Sequence, residues 1–198
     1  MSAPRIGVLA LQGDVAEHLR ALADVGAEPL AVKTRERLET IEGLVIPGGE
    51  STTLVRLLER FGLEQPLVAR VRAGLPLWGT CMGMILAARE VVESEQPTLG
   101  LLDIAVRRNA FGRQLASAEI PLAIPALGEQ PFPAVFIRAP WVERAGPGVE
   151  VLAEREGHPV FVRAQNVLAS AFHPELTADR RIHALFLDLV RRSRRRAA

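Results

Sequence analysis

The sequence predicts an α/β fold in which a mostly parallel central sheet is flanked by helices and carries an added antiparallel strand section. Three observations predict it. Through about residue 98, short apolar, branched runs alternate with segments of helical period, the rhythm of a parallel sheet covered on both faces. Beyond residue 98 the rhythm changes to strand-like runs separated by turn signals, as in an antiparallel meander. No repeat, low-complexity segment or linker divides the chain. Residues 1–198 therefore read as one domain, and a domain of that length buries roughly 70% of the surface its unfolded chain exposes.

The first run, RIGVLAL at residues 5–11, ends in the turn signal QGD and reads as a strand. In VAEHLRALADVGAE, which follows, Val15, Leu19, Leu22 and Ala23 fall on one helical face. Asp14, with Glu17 three residues on, has the spacing of a reciprocal N-terminal cap, and Gly26 suits the helix end. Residues 29–33, 43–46 and 75–78 read as the next three strands, with helices over 51–60 and 64–73 between the last two. The later strand-like runs are 101–106, 134–137, 149–153, 160–163 and 167–172, the last three divided by EGHP and AQN. A helix over about residues 178–192 closes the chain, and the terminal RRSRRR reads as its frayed, solvated end, whose arginines complement the helix dipole.

With 48% hydrophobic and 24% charged residues and a net charge of +1, the composition implies neither a nucleic-acid nor a membrane partner. The single cysteine, Cys81, excludes an internal disulfide. The start MSAPRIGVLALQGD has no signal-peptide architecture, so the expected location is the cytoplasm.

That cysteine stands where a strand passes into a helical pattern, in Gly79-Thr80-Cys81-Met82-Gly83 followed by MILAARE. The layout is that of a nucleophile elbow, in which glycines permit a tight, strained turn that lifts the sulfur above the carboxyl end of the sheet. A helix starting there favours negative charge at its N-terminus, and the backbone N–H of Met82 is placed to stabilise an oxyanion. From the pentapeptide alone, Cys81 reads equally well as a small buried hydrophobe. A base and an orienting carboxylate elsewhere decide between the two.

Of the four histidines, His18, on a helix flank, His158, in a hairpin turn, and His183, in the last helix, read as surface or packing residues. His173 ends the apolar strand VLASAF and is followed by Pro174-Glu175. In extended chain, positions i and i+2 point to one side, so Glu175 can hold the His173 tautomer. Alone, Glu175 reads as a first-turn acid after a helix-starting proline. A third strand end, GLVIPGGESTTLVRLL, places two glycines where ligands gather in such sheets, with Ser51 suited to cap the next helix.

At this point GTCMG with a distant FHPEL resembles the class I glutamine amidotransferases, three-layer flavodoxin-like proteins whose Cys-His-Glu triad releases ammonia from glutamine. LALQGD, PGGESTT, RRNAFGRQ, FIRAPW and FHPELT match, in order and along nearly the whole chain, the glutaminase subunits of pyridoxal 5'-phosphate synthase. The resemblance implies Cys81 as nucleophile, His173 as acid and base, and Glu175 as its orienter. It places glutamine binding on Gly49, Glu50, Ser51, Arg108, Ile137 and Arg138, and the oxyanion on N–H groups of Gly49 and Met82. Many relatives have a small residue where this chain has Met82, which bears on the width of the pocket. The implied partner is a barrel-shaped synthase subunit, with Gln12 a candidate for carrying its contact to the site. No cofactor and no metal is expected, since no histidine pair has ligand spacing. A stand-alone hydrolase acting on an ester or another amide, or a non-catalytic regulatory subunit, remain the alternatives at the level of sequence.

Overall fold

The computed structural model describes residues 2–111 and 117–197. Gly112, Arg113 and Gln114 of the RRNAFGRQ match lie outside the described residues. The first half follows the expected alternation: β1 (Arg5–Leu9), α1 (Val15–Asp24), β2 (Glu28–Val32), α2 (Arg35–Thr40), β3 (Gly43–Ile46), α3 (Ser51–Arg60), α4 (Glu64–Arg72), β4 (Leu77–Thr80) and α5 (Met82–Ala87). The second half contains β5 (Ala88–Val91), β6 (Leu102–Arg107), β7 (Ser117–Leu122), β8 (Phe132–Ile137), β9 (Trp141–Ala145), β10 (Glu150–Arg155), β11 (His158–Ala164), β12 (Val167–Ser170) and α6 (Arg181–Ala197).

Seven strands form the main sheet in the order β10-β11-β12-β4-β3-β1-β2. The five from β12 to β2 pair in parallel, and β10 and β11 extend the β12 edge antiparallel. Strands β3, β4 and β12 are buried along their whole lengths, which is why their sequences GLVI, LWGT and VLAS are almost uninterruptedly small or apolar. Helices α1 and α6 pack on one another, and α3 packs on α4 and α5. Trp78 of β4 sits beneath the α1–α6 seam, its ring edge-on to His18 and His183 with centroids 5.5 and 4.9 Å away.

The antiparallel section differs from the expected single meander. Only the last three strand-like runs join the main sheet; β6 pairs with β5 and β9, and β8 pairs with β7 in a hairpin. The MILAARE pattern is not one helix, because α5 ends at Ala87 and the backbone turns straight into β5. Helix α6 runs to Ala197, so the arginine run is helical rather than frayed, with Arg194 3.3 Å from Glu42 and bonded to the backbone of Ser2. The buried stripe of α1 is centred on His18, Ala21 and Leu22 and leaves Ala23 exposed. Among the described residues no helix is long and apolar enough to cross a membrane.

Candidate active site

Strand β4 ends at Thr80 and α5 begins at Met82, so the whole turn falls on Cys81, which adopts φ 49° and ψ −104°. A non-glycine residue at positive φ is strained, and strain of this kind persists only where the surroundings hold it. Here the glycines do so by their missing side chains: a Cβ on Gly79 would collide with the Gly83 carbonyl, and one on Gly83 with the Ile46 carbonyl. The Cys81 N–H is anchored on Ser170 of β12 at 2.7 Å, and its thiol faces the Ile137 carbonyl at 3.7 Å.

Strand β12 delivers the second group to the same end of the sheet. His173 Nδ1 lies 2.8 Å from Glu175 Oε1, both side chains being buried. The i to i+2 expectation thus holds, although a 3-10 turn over Pro174–Leu176 rather than continued strand sets the pair. Asp14 Oδ2 is 3.4 Å from the same nitrogen. Asp14 makes no side-chain cap on α1, and the expected capping box with Glu17 is absent, because the carboxylate turns toward the imidazole instead. Burial opposes a charge on His173, but hydrogen bonds with Asp14, Cys81 and Glu175 override it and push its pKa up to about 12. The same bond to His173 pulls Asp14 below the usual carboxylate range, whereas burial pushes Glu175 above it.

Ligand atoms of Asp14, His173 and Glu175 lie within 4.8 Å of one another, the one group among the described residues with spacing for a metal ion. An imidazolium between two carboxylates needs the same spacing, with its Nδ1–H directed at them. That leaves Nε2 as the ring nitrogen able to serve the sulfur.

The glutamine-site candidates fall around this centre. Gly48 lies against the His173 ring, where a Cβ would collide with Cε1. Gln12 donates its amide to the Glu50 carbonyl at 2.5 Å, tying the QGD turn to the PGGES turn. Helix α3 is capped by Glu50 and not by Ser51: the Glu50 carboxylate accepts from the N–H of Thr52 and Thr53 at 3.2 and 2.6 Å. Hydrogen bonds with Thr52 and Thr53 hold the pKa of Glu50 down at about 2. Ser51, thus released, donates its hydroxyl to Gln96 Oε1 at 2.8 Å, and Arg108 donates to the same oxygen at 2.7 Å. Arg108 also lies 3.9 Å from Glu50. Ile137 joins the centre through its carbonyl, and the exposed Arg138 follows at φ 44°. Gly49 packs beside Gln12, and Met82 directly follows Cys81 as the first residue of α5.

The chain belongs to the SNO glutamine amidotransferase family. That family's model matches residues 8–192. A pyridoxal 5'-phosphate synthase subunit PdxT of Frankia alni is 58% identical over 195 residues, covering 98% of each chain. A solved structure described as a glutamine amidotransferase superposes with a TM-score of 0.88 at 50% identity, covering 93% of this chain and 98% of that one. PurLQS from Thermotoga maritima shares the fold alone, with a TM-score of 0.64 at 18% identity and coverage of 100% and 99%.

Asp14, Gln96 and His18 escaped the sequence reading. Asp14 lay in the QGD turn, at the same edge as the other candidates, but looked like a cap. Gln96 lay in a loop with no periodic signal. His18 sits three residues after Val15 and four before Leu22, inside the apolar stripe of α1, and that position marks it as buried. His18 and His183 are fully buried, with His18 Nδ1 3.3 Å from His183 Nε2, so neither is a surface residue. His158 is the first residue of β11 and stacks on Trp141 with ring centroids 3.7 Å apart.

The buried pair carries a prediction for stability. Burial pushes the His18 pKa well down, and burial with the nearby Arg180 charge pushes that of His183 down to about 3. The unfolded chain takes up these protons below about pH 6.5 while the folded chain does not, so stability is lost as pH falls from 6.5 toward 3. His183 contributes a slope of about 1.4 kcal/mol per pH unit in that window, and His18 acts in the same direction. Glu175, whose pKa is raised, acts in the opposite sense. Denaturant unfolding from pH 7 to 5 should therefore show a shallower loss in His183→Gln than in wild type; equal slopes would count against a neutral buried His183.

Proposed function

We propose that the chain hydrolyses L-glutamine to L-glutamate and ammonia at Cys81, and passes the ammonia to a synthase subunit that builds pyridoxal 5'-phosphate. The observation that carries this reading is the His173–Glu175 pair beside a strained cysteine elbow at the carboxyl end of a parallel sheet. Similarity along nearly the full length to relatives named as subunits of that synthase supports the pathway. The expected compartment is the cytoplasm.

The Cys81 thiolate attacks the side-chain amide carbon of glutamine, and N–H groups of Met82 and Gly49 take up the resulting oxyanion. The His173 imidazolium gives its Nε2 proton to the departing nitrogen, which leaves as ammonia. Forming the thioester removes the sulfur's support for the His173 charge, so the ring sheds this proton more readily at this step. Neutral His173 then takes a proton from water, which hydrolyses the thioester to glutamate and returns the thiolate. Glu175 holds the ring throughout. The guanidinium groups of Arg108 and Arg138 suit the substrate's carboxylate, which they can match bidentately, and Gly49, Glu50, Ser51 and Ile137 line the amino acid.

Cys81 is only 8% exposed and His173 5% exposed, and Gly48 of the PGGES turn lies against the His173 ring, so movement of that turn would open the pair to glutamine. The Gln12 amide on the Glu50 carbonyl gives a docking partner a direct hold on that turn. Glutamate release should be low in the isolated chain and rise at least about tenfold on titration of the synthase subunit, equivalent to about 1.4 kcal/mol in favour of the ordered turn. Gln12→Ala should blunt the rise more than it lowers basal turnover. Absence of glutamate release with the partner present would overturn the reading, and full release without it would overturn the gating.

A further inference from the structure

We propose that His18 is a positioning residue for the glutaminase reaction, a neutral imidazole whose Nε2–H holds the outer oxygen of the Glu175 carboxylate. The inference rests on the glutaminase reading and extends the triad by one member into the interior. Glu175 has two oxygens and the triad uses one. Oε1 receives the His173 Nδ1 proton at 2.8 Å, whereas Oε2 is fully enclosed and has no aligned hydrogen-bond donor. A carboxylate oxygen left so in a dry interior is costly, and free rotation of the group would also spoil the aim of His173.

Among the described residues the group placed to supply a proton there is His18, whose Nε2 lies 3.3 Å from Oε2 with both side chains inaccessible to solvent. The same nitrogen faces Thr80 Oγ1 at 3.3 Å, so its position is shared between the last residue of β4 and the catalytic carboxylate. The other ring nitrogen, Nδ1, faces His183 Nε2 at 3.3 Å. These contacts choose the tautomer. A lone pair on Nε2 would stand against a carboxylate oxygen in a site closed to solvent, whereas a proton on Nε2 satisfies that oxygen after a small rotation of either group. Nδ1 of His18 must then accept, and it accepts from Nε2–H of His183.

The Glu175 carboxylate alone would favour a charged His18, and burial with the charges of His183 and His173 outweighs it. Glu175 and His173 face it from the turn after β12, His183 from α6, and the Trp78 ring edge from β4; the Arg180–Asp24 pair lies beyond His183. Burial and the cationic character of His173 both oppose a proton on Nδ1. Sequence places His18 four residues after Asp14, so α1 brings two groups to the triad: Asp14 at the solvent side of His173 and His18 behind Glu175. Without the N–H of His18, the Glu175 carboxylate becomes easier to protonate and loses its hold on the His173 charge.

The test uses the full chain with its synthase subunit, and His18→Leu, which removes the donor, beside His18→Gln, whose amide can return one at the position of Nε2. His18→Leu should lower kcat for glutamine about ten- to a hundredfold, the cost of leaving a buried charged group unsatisfied, with KM nearly unchanged. The acid limb of the pH profile for labelling of Cys81 by a glutamine-like electrophile should move toward neutral pH in His18→Leu. His18→Gln should restore most of the loss. Equal losses in the two variants, or an unshifted acid limb in His18→Leu, would overturn the proposal. If His18→Leu fails to fold, nitrogen NMR of the wild-type histidines decides: His18 should be the neutral Nε2–H tautomer, and an Nδ1–H or doubly protonated ring would overturn it. Wild-type glutamate release tests the glutaminase reading separately, so failure of one is not failure of the other.

Discussion

Replacement of Cys81 by alanine is expected to abolish glutamine hydrolysis, by about 10⁴-fold or more, while leaving the fold nearly as stable as wild type. The sulfur's partners are the Ile137 carbonyl, at a long 3.7 Å, and the His173 ring, and it stands at the carboxyl end of β4. Alanine suffers the same strain at φ 49°, so the elbow neither gains nor loses by the change. Losing one buried atom of this size should cost about 1 kcal/mol. A drop of about 2–5 kcal/mol in denaturant unfolding, as for a core cavity, would instead make Cys81 a packing residue. Glutamate release in the presence of the synthase subunit, measured beside that unfolding curve, separates the two.

His173→Gln is expected to lower glutamine turnover by about 10²–10⁴-fold, the usual worth of a positioned acid and base. Glutamine keeps much of the ring's volume and can still donate toward Glu175, so the packing against Gly48 should survive. In the proposed reaction, what disappears is the group that would hold a proton in the resting site and release it to ammonia. Labelling of Cys81 by a glutamine-like electrophile at neutral pH should slow as well, because the positive partner of the thiolate is gone. Equal labelling rates in wild type and His173→Gln would remove His173 from the reaction.

The parts of the site legible in the sequence share a property: each is a local pattern at the carboxyl end of a strand. GTCMG after LWGT, HPE after VLASAF and PGGES after GLVI are such ends, and strand order in a parallel sheet brings them together without further information. The helix caps were not legible, because Asp14 and Ser51 are both good capping residues whose side chains have stronger partners far away in sequence. Asp14 meets His173, and Ser51 meets Gln96, leaving Glu50 to cap α3.

By itself, the sequence determined the parallel core, the Cys81 elbow and the nearness of His173 to Glu175, because hydrophobic period and short strand-end motifs are local. Only the tertiary structure decided that α1 and α6 meet over Trp78, and with that the place of His18 and His183 behind Glu175. Their contacts span 165 residues between the two histidines and 62 between His18 and Thr80. The second small sheet and the β7–β8 hairpin were decided the same way, since short strands choose partners by burial and not by any signal in their own residues.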